Sequence, residues 1–248
     1  PRGRARSGAR NRGCLAGVPV AAGVLHLMAA RNGDTATSRI LMRDGSRVEP
    51  GDAVLEAEAP LRTLLTAERS MLNLSGQLSG VATATAAWAD ALAGSGTRVR
   101  DTRKTVPGLR VLQKYAVRCG GGVNHRMGLG DAALIKDNHI AAAGSVAGAL
   151  RAVQAHAPDL VCEVECDSLD QVVEAIAAGA SLVLLDNMPP ALMRQAVALT
   201  RPSGVATEAS GGLHLADAAA VATCGVDYVA VGALTHSAPV LDLGLAMV

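Results

Sequence analysis

The charged residues in the second half of the chain fall at the ends of apolar runs, and their types suit anion binding. RVRDT (98–102) delivers Asp101 and Thr102 and leads into Arg103 and Lys104. ALIKD (133–137) delivers Lys136 and Asp137, CEVEC (162–166) Glu163 and Glu165, LVLLD (182–186) Asp186, and GVATEAS (204–210) Glu208 and Ser210. Between the first two runs lies GGGVNHRMG (120–128), which sets His125 and Arg126 side by side just past three glycines. Arg103, Lys104, His125, Arg126 and Lys136 together repel one another unless counter-charge arrives. A charge-assisted hydrogen bond is worth roughly 1.5–3 kcal/mol, so such a cluster can hold a dicarboxylate and a diphosphate. Glu165 and Asp186 suit Mg²⁺, which takes one or two carboxylates beside substrate phosphate oxygens. The same carboxylates can stabilise a cationic sugar carbon. Ser210, Gly211 and Gly212 precede HLADAAAVA, and Val231 and Gly232 end the last apolar run. Glycine-exposed N–H groups ahead of a helix make an anion nest. The residues alone read as an enzyme acting on a phosphorylated sugar and an acidic co-substrate; they do not name the reaction.

Those groups need elements to carry them. Strand-length runs at 98–102, 133–137, 160–166, 182–186, 204–210 and 228–232 alternate with alanine-rich helical stretches. The helices are expected over 107–118, 144–156, 168–178, 189–200 and 214–224. This alternation predicts a parallel sheet. Polar groups at five successive strand ends favour a barrel over an open sheet, whose ligand groups gather at one switch point. In CEVEC the two glutamates share one face and Cys162, Val164 and Cys166 the other. The second face suits packing against helices, so the glutamates point inward, where they need cations or a metal. Upstream, ILMRDGSRVEPGDAVLEAEAP (40–60) carries DG and PGD turn signals between strand-like segments, as in an antiparallel sheet. LLTAERSMLNLSGQLSGVATATAAWADAL (64–92) reads as a helical bridge interrupted around Ser75–Gly80.

Composition narrows the function. The chain has 248 residues, half of them apolar, with no Phe, one Trp and two Tyr. It therefore lacks the aromatic platforms on which single-stranded nucleic acids stack. A net charge of +1 makes the whole chain no general polyanion binder. Five cysteines form no CxxC pair. Cys162 and Cys166 stand four residues apart on one strand, too far for a disulfide, and the set reads as reduced thiols of a cytoplasmic protein. PRGRARSGARNR followed by CLAGVPVAAGVLHLMAA has the outline of a signal peptide, but Pro19 and the glycines break the apolar run. The arginine-rich start is expected to be a solvated tail. No segment is long and apolar enough to span a bilayer. The triple glycine reads either as a helix end or as a hinge that lets His125 and Arg126 close on a ligand.

Several of these stretches resemble the quinolinate phosphoribosyltransferase family, also called carboxylating nicotinate-nucleotide pyrophosphorylases. They are AERSMLNLSGQLSGVATAT (67–85), DTRKTVPGLRVLQKYAVRCGGGVNHRMGLGDAALIKDNH (101–139), EVECDSLDQ (163–171), LLDNM (184–188), EASGG (208–212) and DYVAVGALTHS (227–237). The resemblance covers residues 13–248 and implies a TIM-like, incomplete α/β barrel over 71–237. A small N-terminal α/β sandwich domain over 1–70, cut short at its start, would be rejoined by 238–248. The implied activity joins quinolinate to phosphoribosyl pyrophosphate with Mg²⁺ and releases pyrophosphate and CO2. By matching motif, Arg103, His125, Arg126 and Lys136 would hold the quinolinate carboxylates, with Arg69 reaching in from the other subunit of a homodimer. Lys104, Lys136, Glu165 and Asp186 would be catalytic, Lys104 on pyrophosphate and the two acids on ribose hydroxyls and metal. Thr102, Ser210, Gly211, Gly212, Val231, Gly232, Ala233 and His236 would complete the phosphoribosyl site. No nucleic acid or membrane partner is implied. The rival readings are a paralogue acting on another pyridine acid and a non-catalytic sugar-phosphate binding protein.

Overall fold

The computed structural model describes residues 1–248. Its elements are, in order, β1 (Arg2–Ala9), β2 (Gly13–Cys14), α1 (Val18–Arg31), β3 (Thr37–Ile40), β4 (Arg47–Val48), β5 (Ala53–Pro60), α2 (Leu61–Ala91), β6 (Arg98–Arg100) and α3 (Arg110–Cys119). There follow β7 (Ala133–Ile135), α4 (Asp137–Ala143), α5 (Val146–His156), β8 (Cys162–Cys166), α6 (Leu169–Ala177), β9 (Leu182–Asp186) and α7 (Pro190–Thr200). Last come β10 (Ala206–Ser210), α8 (Ala218–Ala222), β11 (Tyr228–Ala230), α9 (Ala233–His236) and β12 (Leu243–Met247). Two units divide them. One holds residues 1–87, 105–122 and 233–248, the other 88–104 and 123–232.

In the first unit the arginine-rich start is a strand, not a solvated tail. β1 lies inside an antiparallel sheet ordered β12-β1-β5-β3. Its arginines alternate with small residues at the period of a strand. Ala5, Ser7 and Ala9 are therefore buried, while Arg4 and Arg6 stand opposite Glu58 and Glu56 on β5. Arg6 and Arg39 both reach Glu56 at 2.7 Å. These arginine hydrogen bonds hold the Glu56 carboxyl below the usual carboxylate range. The apolar run that follows is α1, whose Val18, Ala21, Ala22, Leu25 and Ala29 are buried against this unit. No helix is long and apolar enough to cross a membrane.

The expected interruption at Ser75–Gly80 is absent, and a domain boundary at residue 70 falls within one continuous helix, α2. The glycines serve packing rather than breakage. A Cβ on Gly80 would run into the backbone oxygen of Pro239, and one on Gly76 would lie 3.0 Å from the Leu241 oxygen. Ser79 Oγ takes the Ala16 N–H at 3.0 Å. Replacing Gly80 with Ala should thus destabilise by about 1–3 kcal/mol through overpacking, despite alanine's better helix propensity. Gly23→Ala in α1, where nothing lies within 4 Å of the added methyl, should instead be neutral or stabilising. Denaturant midpoints of the two variants check the opposite signs.

The second unit holds a six-stranded parallel sheet ordered β6-β11-β10-β9-β8-β7. From β7 to β11, strands consecutive in the chain are neighbours, and the first, β6, lies beside the last, β11. That is the order of a closed barrel with one seam left open, between β6 and β7, and not of a doubly wound sheet, which reverses at a switch point. Val123 makes a parallel bridge to Arg100 on the free side of β6, its N–H bonding the Val99 oxygen at 2.9 Å. The segment after the triple glycine therefore enters at the open seam.

Candidate active site

The triple glycine is a helix terminus. Gly120 caps α3 and Gly121 takes φ +88°, while the N–H groups of Gly121 and Gly122 bond the oxygens of Arg118 and Val117, both at 3.0 Å. This pair of bonds is a Schellman motif. A Cβ on Gly120 would meet the Ala82 oxygen of α2. Of the two readings of this stretch the helix end is the one observed, and Asn124, His125 and Arg126 follow it. Asp101, fully buried at the end of β6, anchors them: Oδ2 accepts from Asn124 Nδ2 at 2.5 Å and Oδ1 from the His125 N–H at 2.9 Å.

Both ring nitrogens of His125 are engaged by protein. Nδ1 accepts the Arg126 N–H at 2.7 Å, so the ring proton sits on Nε2. Nε2 in turn lies 2.8 Å from Glu163 Oε2 and 3.5 Å from Glu208 Oε1. Arg100 Nη1 donates to Glu208 Oε2 at 2.7 Å, and its guanidinium lies 4.5 Å from the centre of the Tyr228 ring. The interior face predicted for Glu163 is thus observed. Burial, and after it the charge of Glu163, raises the Glu208 carboxyl to about 7, against the pull of Arg100 and His125. Ligand atoms of His125, Glu163 and Glu208 lie within 4.8 Å of one another, close enough for a cation. The Arg100 guanidinium and the imidazole N–H already supply positive charge and a donor to this group.

Arg126 Nη1 donates to the Ala132 oxygen at 2.8 Å. Burial lowers its pKa, and the like charge of Arg103 adds to that, so the two guanidinium groups share one neighbourhood. Lys136 and Glu165 are paired at 2.6 Å. On the next strand Asp186 Oδ2 accepts from Asn187 Nδ2 at 2.8 Å. Lys104 is exposed, and its N–H bonds Thr102 Oγ1 at 3.0 Å. Past β10, Gly211 and Gly212 take φ +102° and +58°, and a Cβ on Gly211 would strike the side chain of Asn187, itself at φ 53°. The helix expected over 214–224 is broken into a 3-10 turn, Leu215–Asp217, and the short α8. An anion there meets glycine N–H groups rather than a helix dipole. Val231 is buried, its N–H on the Arg100 oxygen at 3.0 Å.

Thr102, Arg103, Lys104, His125, Arg126, Lys136, Glu165, Asp186, Ser210, Gly211, Gly212, Val231 and Gly232 all belong to the second unit. Arg69, Ala233 and His236 belong to the first. Arg69 is 78% exposed and lies 3.4 Å from Glu68, and His236 Nδ1 lies 2.6 Å from Ser237 Oγ. Sequence reasoning missed Arg100 and the pairing of Glu208. The strongest signal was position: Arg100 closes the strand RVR, one residue before Asp101.

An incomplete α/β barrel whose strand ends gather guanidinium groups, a lysine and paired carboxylates defines an α/β-barrel enzyme with anionic ligands. The model described as "Quinolinate phosphoribosyl transferase, N-terminal domain" matches residues 1–79, and that of the C-terminal domain matches 81–246. The chain belongs to the quinolinate phosphoribosyltransferase family, and its arginine-rich first strand lies inside the family's N-terminal domain. A "Nicotinate-nucleotide pyrophosphorylase [carboxylating]" of Mycobacterium leprae is 55% identical over 95% of this chain and 83% of its own length. The crystal structure of NadC from Streptococcus pyogenes matches with TM-score 0.93 at 42% identity, covering 100% of this chain and 87% of that one. The nicotinate-nucleotide pyrophosphorylase from Francisella tularensis matches with TM-score 0.95 at 38% identity, over 100% of this chain and 87% of that one.

Proposed function

We propose that the chain transfers the phosphoribosyl group of phosphoribosyl pyrophosphate to quinolinate with decarboxylation, giving nicotinate mononucleotide, pyrophosphate and CO2. The observation that carries this reading is the match of both family domains along the chain, in a barrel where Arg126 feels the like charge of Arg103. Two like charges held together suit a dianion. Arg103, His125, Arg126 and Lys136 hold the two carboxylates. Lys104 meets the pyrophosphate, and Thr102, Ser210 to Gly212, Val231 to Ala233 and His236 serve the phosphoribosyl group.

In the reaction the bond from sugar C1 to pyrophosphate oxygen breaks and C1 joins the pyridine nitrogen. The charge of Glu165 and Asp186 would steady the cationic carbon, and their oxygens would orient the ribose hydroxyls. The pyridinium then accepts the electron pair left at C2 as CO2 departs, and a proton fills that position. No nucleophilic side chain is required. Glu165 and Asp186 each spend one oxygen on Lys136 or Asn187, so a hard carboxylate oxygen on each fits Mg²⁺. Bound there, the ion would neutralise pyrophosphate charge. A homodimer in which Arg69 serves the neighbouring subunit completes the proposal, in the cytoplasm, where the five cysteines stay reduced.

Release of pyrophosphate and CO2 is measured with quinolinate, phosphoribosyl pyrophosphate and Mg²⁺, with nicotinate in parallel. Equal release of both products with quinolinate, lost on chelation by EDTA, is expected. Turnover with nicotinate alone selects a paralogous activity, and ligand binding without turnover selects a sugar-phosphate binding protein.

A further inference from the structure

The second unit hides a charged relay of Arg100, Glu208, Glu163 and His125, in which each side chain is held by another member. Glu208 is fully buried and Glu163 nearly so. Burying two carboxylates is costly, and packing alone would be served better by apolar residues. What the arrangement accomplishes is directional. Arg100 holds Glu208 at 2.7 Å, Glu163 and the more distant Glu208 face the Nε2 proton, and Nδ1 is thereby presented as an acceptor to the Arg126 N–H. Asp101 fixes the same turn from the other side through the His125 N–H. A ring flipped or protonated on Nδ1 would set a proton or a carbon against the Arg126 N–H and release it.

We infer that Glu163, with the Arg100–Glu208 pair beside it, is a positioning residue for substrate recognition: it accepts from the Nε2 proton at 2.8 Å and locks the His125 tautomer that holds the Arg126 backbone in place. His125 then acts on recognition through the Arg126 backbone as well. The inference deepens the proposed function and rests on it, because it takes Arg126 as the group that binds quinolinate. A fixed second layer of this kind maintains first-layer geometry to fractions of an ångström, which binding of a rigid planar dianion requires.

The test joins spectroscopy and binding. In protein labelled with ¹⁵N-histidine, with His125 assigned by its absence in His125→Asn, the ring of the wild type should show a protonated Nε2 and an unprotonated Nδ1. In Glu163→Gln the two tautomers should interconvert, and KM for quinolinate should rise at least tenfold more than KM for phosphoribosyl pyrophosphate. An equal rise in both constants, or an unchanged tautomer with unchanged quinolinate KM, overturns the inference. So does a wild-type ring protonated on Nδ1, an outcome that needs no variant to fold. So, too, does a shift of the His125 signals on adding one equivalent of Zn²⁺, which would make the three ligand atoms a cation site. If wild-type protein fails to use quinolinate while the ring keeps its Nε2 proton, the proposed function fails and the relay stands.

Discussion

Arg126→Ala should weaken quinolinate binding by roughly 100- to 1,000-fold while changing phosphoribosyl pyrophosphate binding only a few-fold. Its guanidinium spends one N–H on the Ala132 oxygen, and the fork retains donors for a carboxylate. Two charge-assisted bonds at about 1.5–2 kcal/mol each give that factor at about 1.4 kcal/mol per tenfold. Arg126 carries two penalties, burial and the neighbouring charge of Arg103, both of which lower its pKa. A dianion relieves the second, so part of its affinity comes from repulsion removed rather than bonds made. Arg126→Lys keeps the charge and loses the fork, and should fall between wild type and alanine. Calorimetric titration of each ligand separates the cases. Equal losses for both ligands would move Arg126 out of the quinolinate site.

Much of the barrel was legible because its chemistry is written at strand ends. LVLLD begins and ends where β9 does, and the parity of CEVEC put Glu163 on the interior face where His125 meets it. In an alternating α/β pattern, a short apolar run closed by one charged residue fits the end of a buried strand and little else. The first strand failed for the opposite reason. Five arginines in twelve residues overwhelmed the alternation between them, and their counter-charges, Glu56 and Glu58, lie some fifty residues away in the chain. A local reading sees a basic block; the sheet turns it into a ladder of pairs.

Glycines misled twice in one way. Gly76 and Gly80 looked like a helix break, and Gly120 to Gly122 like a hinge, because glycine's freedom is its visible property. In both places the missing side chain is what matters, since the backbone of residues 239–241 or of Ala82 fills the space where a Cβ would stand. No local signal distinguishes a glycine needed for closeness from one needed for motion. Arg100 was invisible for a related reason, because nothing in RVR announces a buried partner 108 residues onward in Glu208.

Arg100→Met should destabilise the protein by about 3–5 kcal/mol at pH 8 and by distinctly less at pH 5. Removing one partner of a buried pair leaves the other charge uncompensated, which is the costly way to break it. Glu208 can escape only by keeping its proton. In the wild type its folded pKa, about 7, already lies above the ordinary 4.5, so the folded state binds the extra proton and the contribution of Glu208 to stability falls as pH rises from 4.5 to 7. Above 7 the wild-type carboxyl is ionised in both states and the slope from this group vanishes. Without Arg100 the folded pKa moves higher still, the slope continues, and the gap to wild type widens by about 1.4 kcal/mol per pH unit above 7. Urea unfolding of both proteins at pH 5, 7 and 8 measures that divergence. In the Glu208→Gln background the titrating group is gone, so the gap between that variant and the Arg100→Met, Glu208→Gln double variant should be independent of pH. A gap already flat in the single variant would mean that Glu208 is not the carboxyl Arg100 restrains, and the relay to His125 would lose its first link.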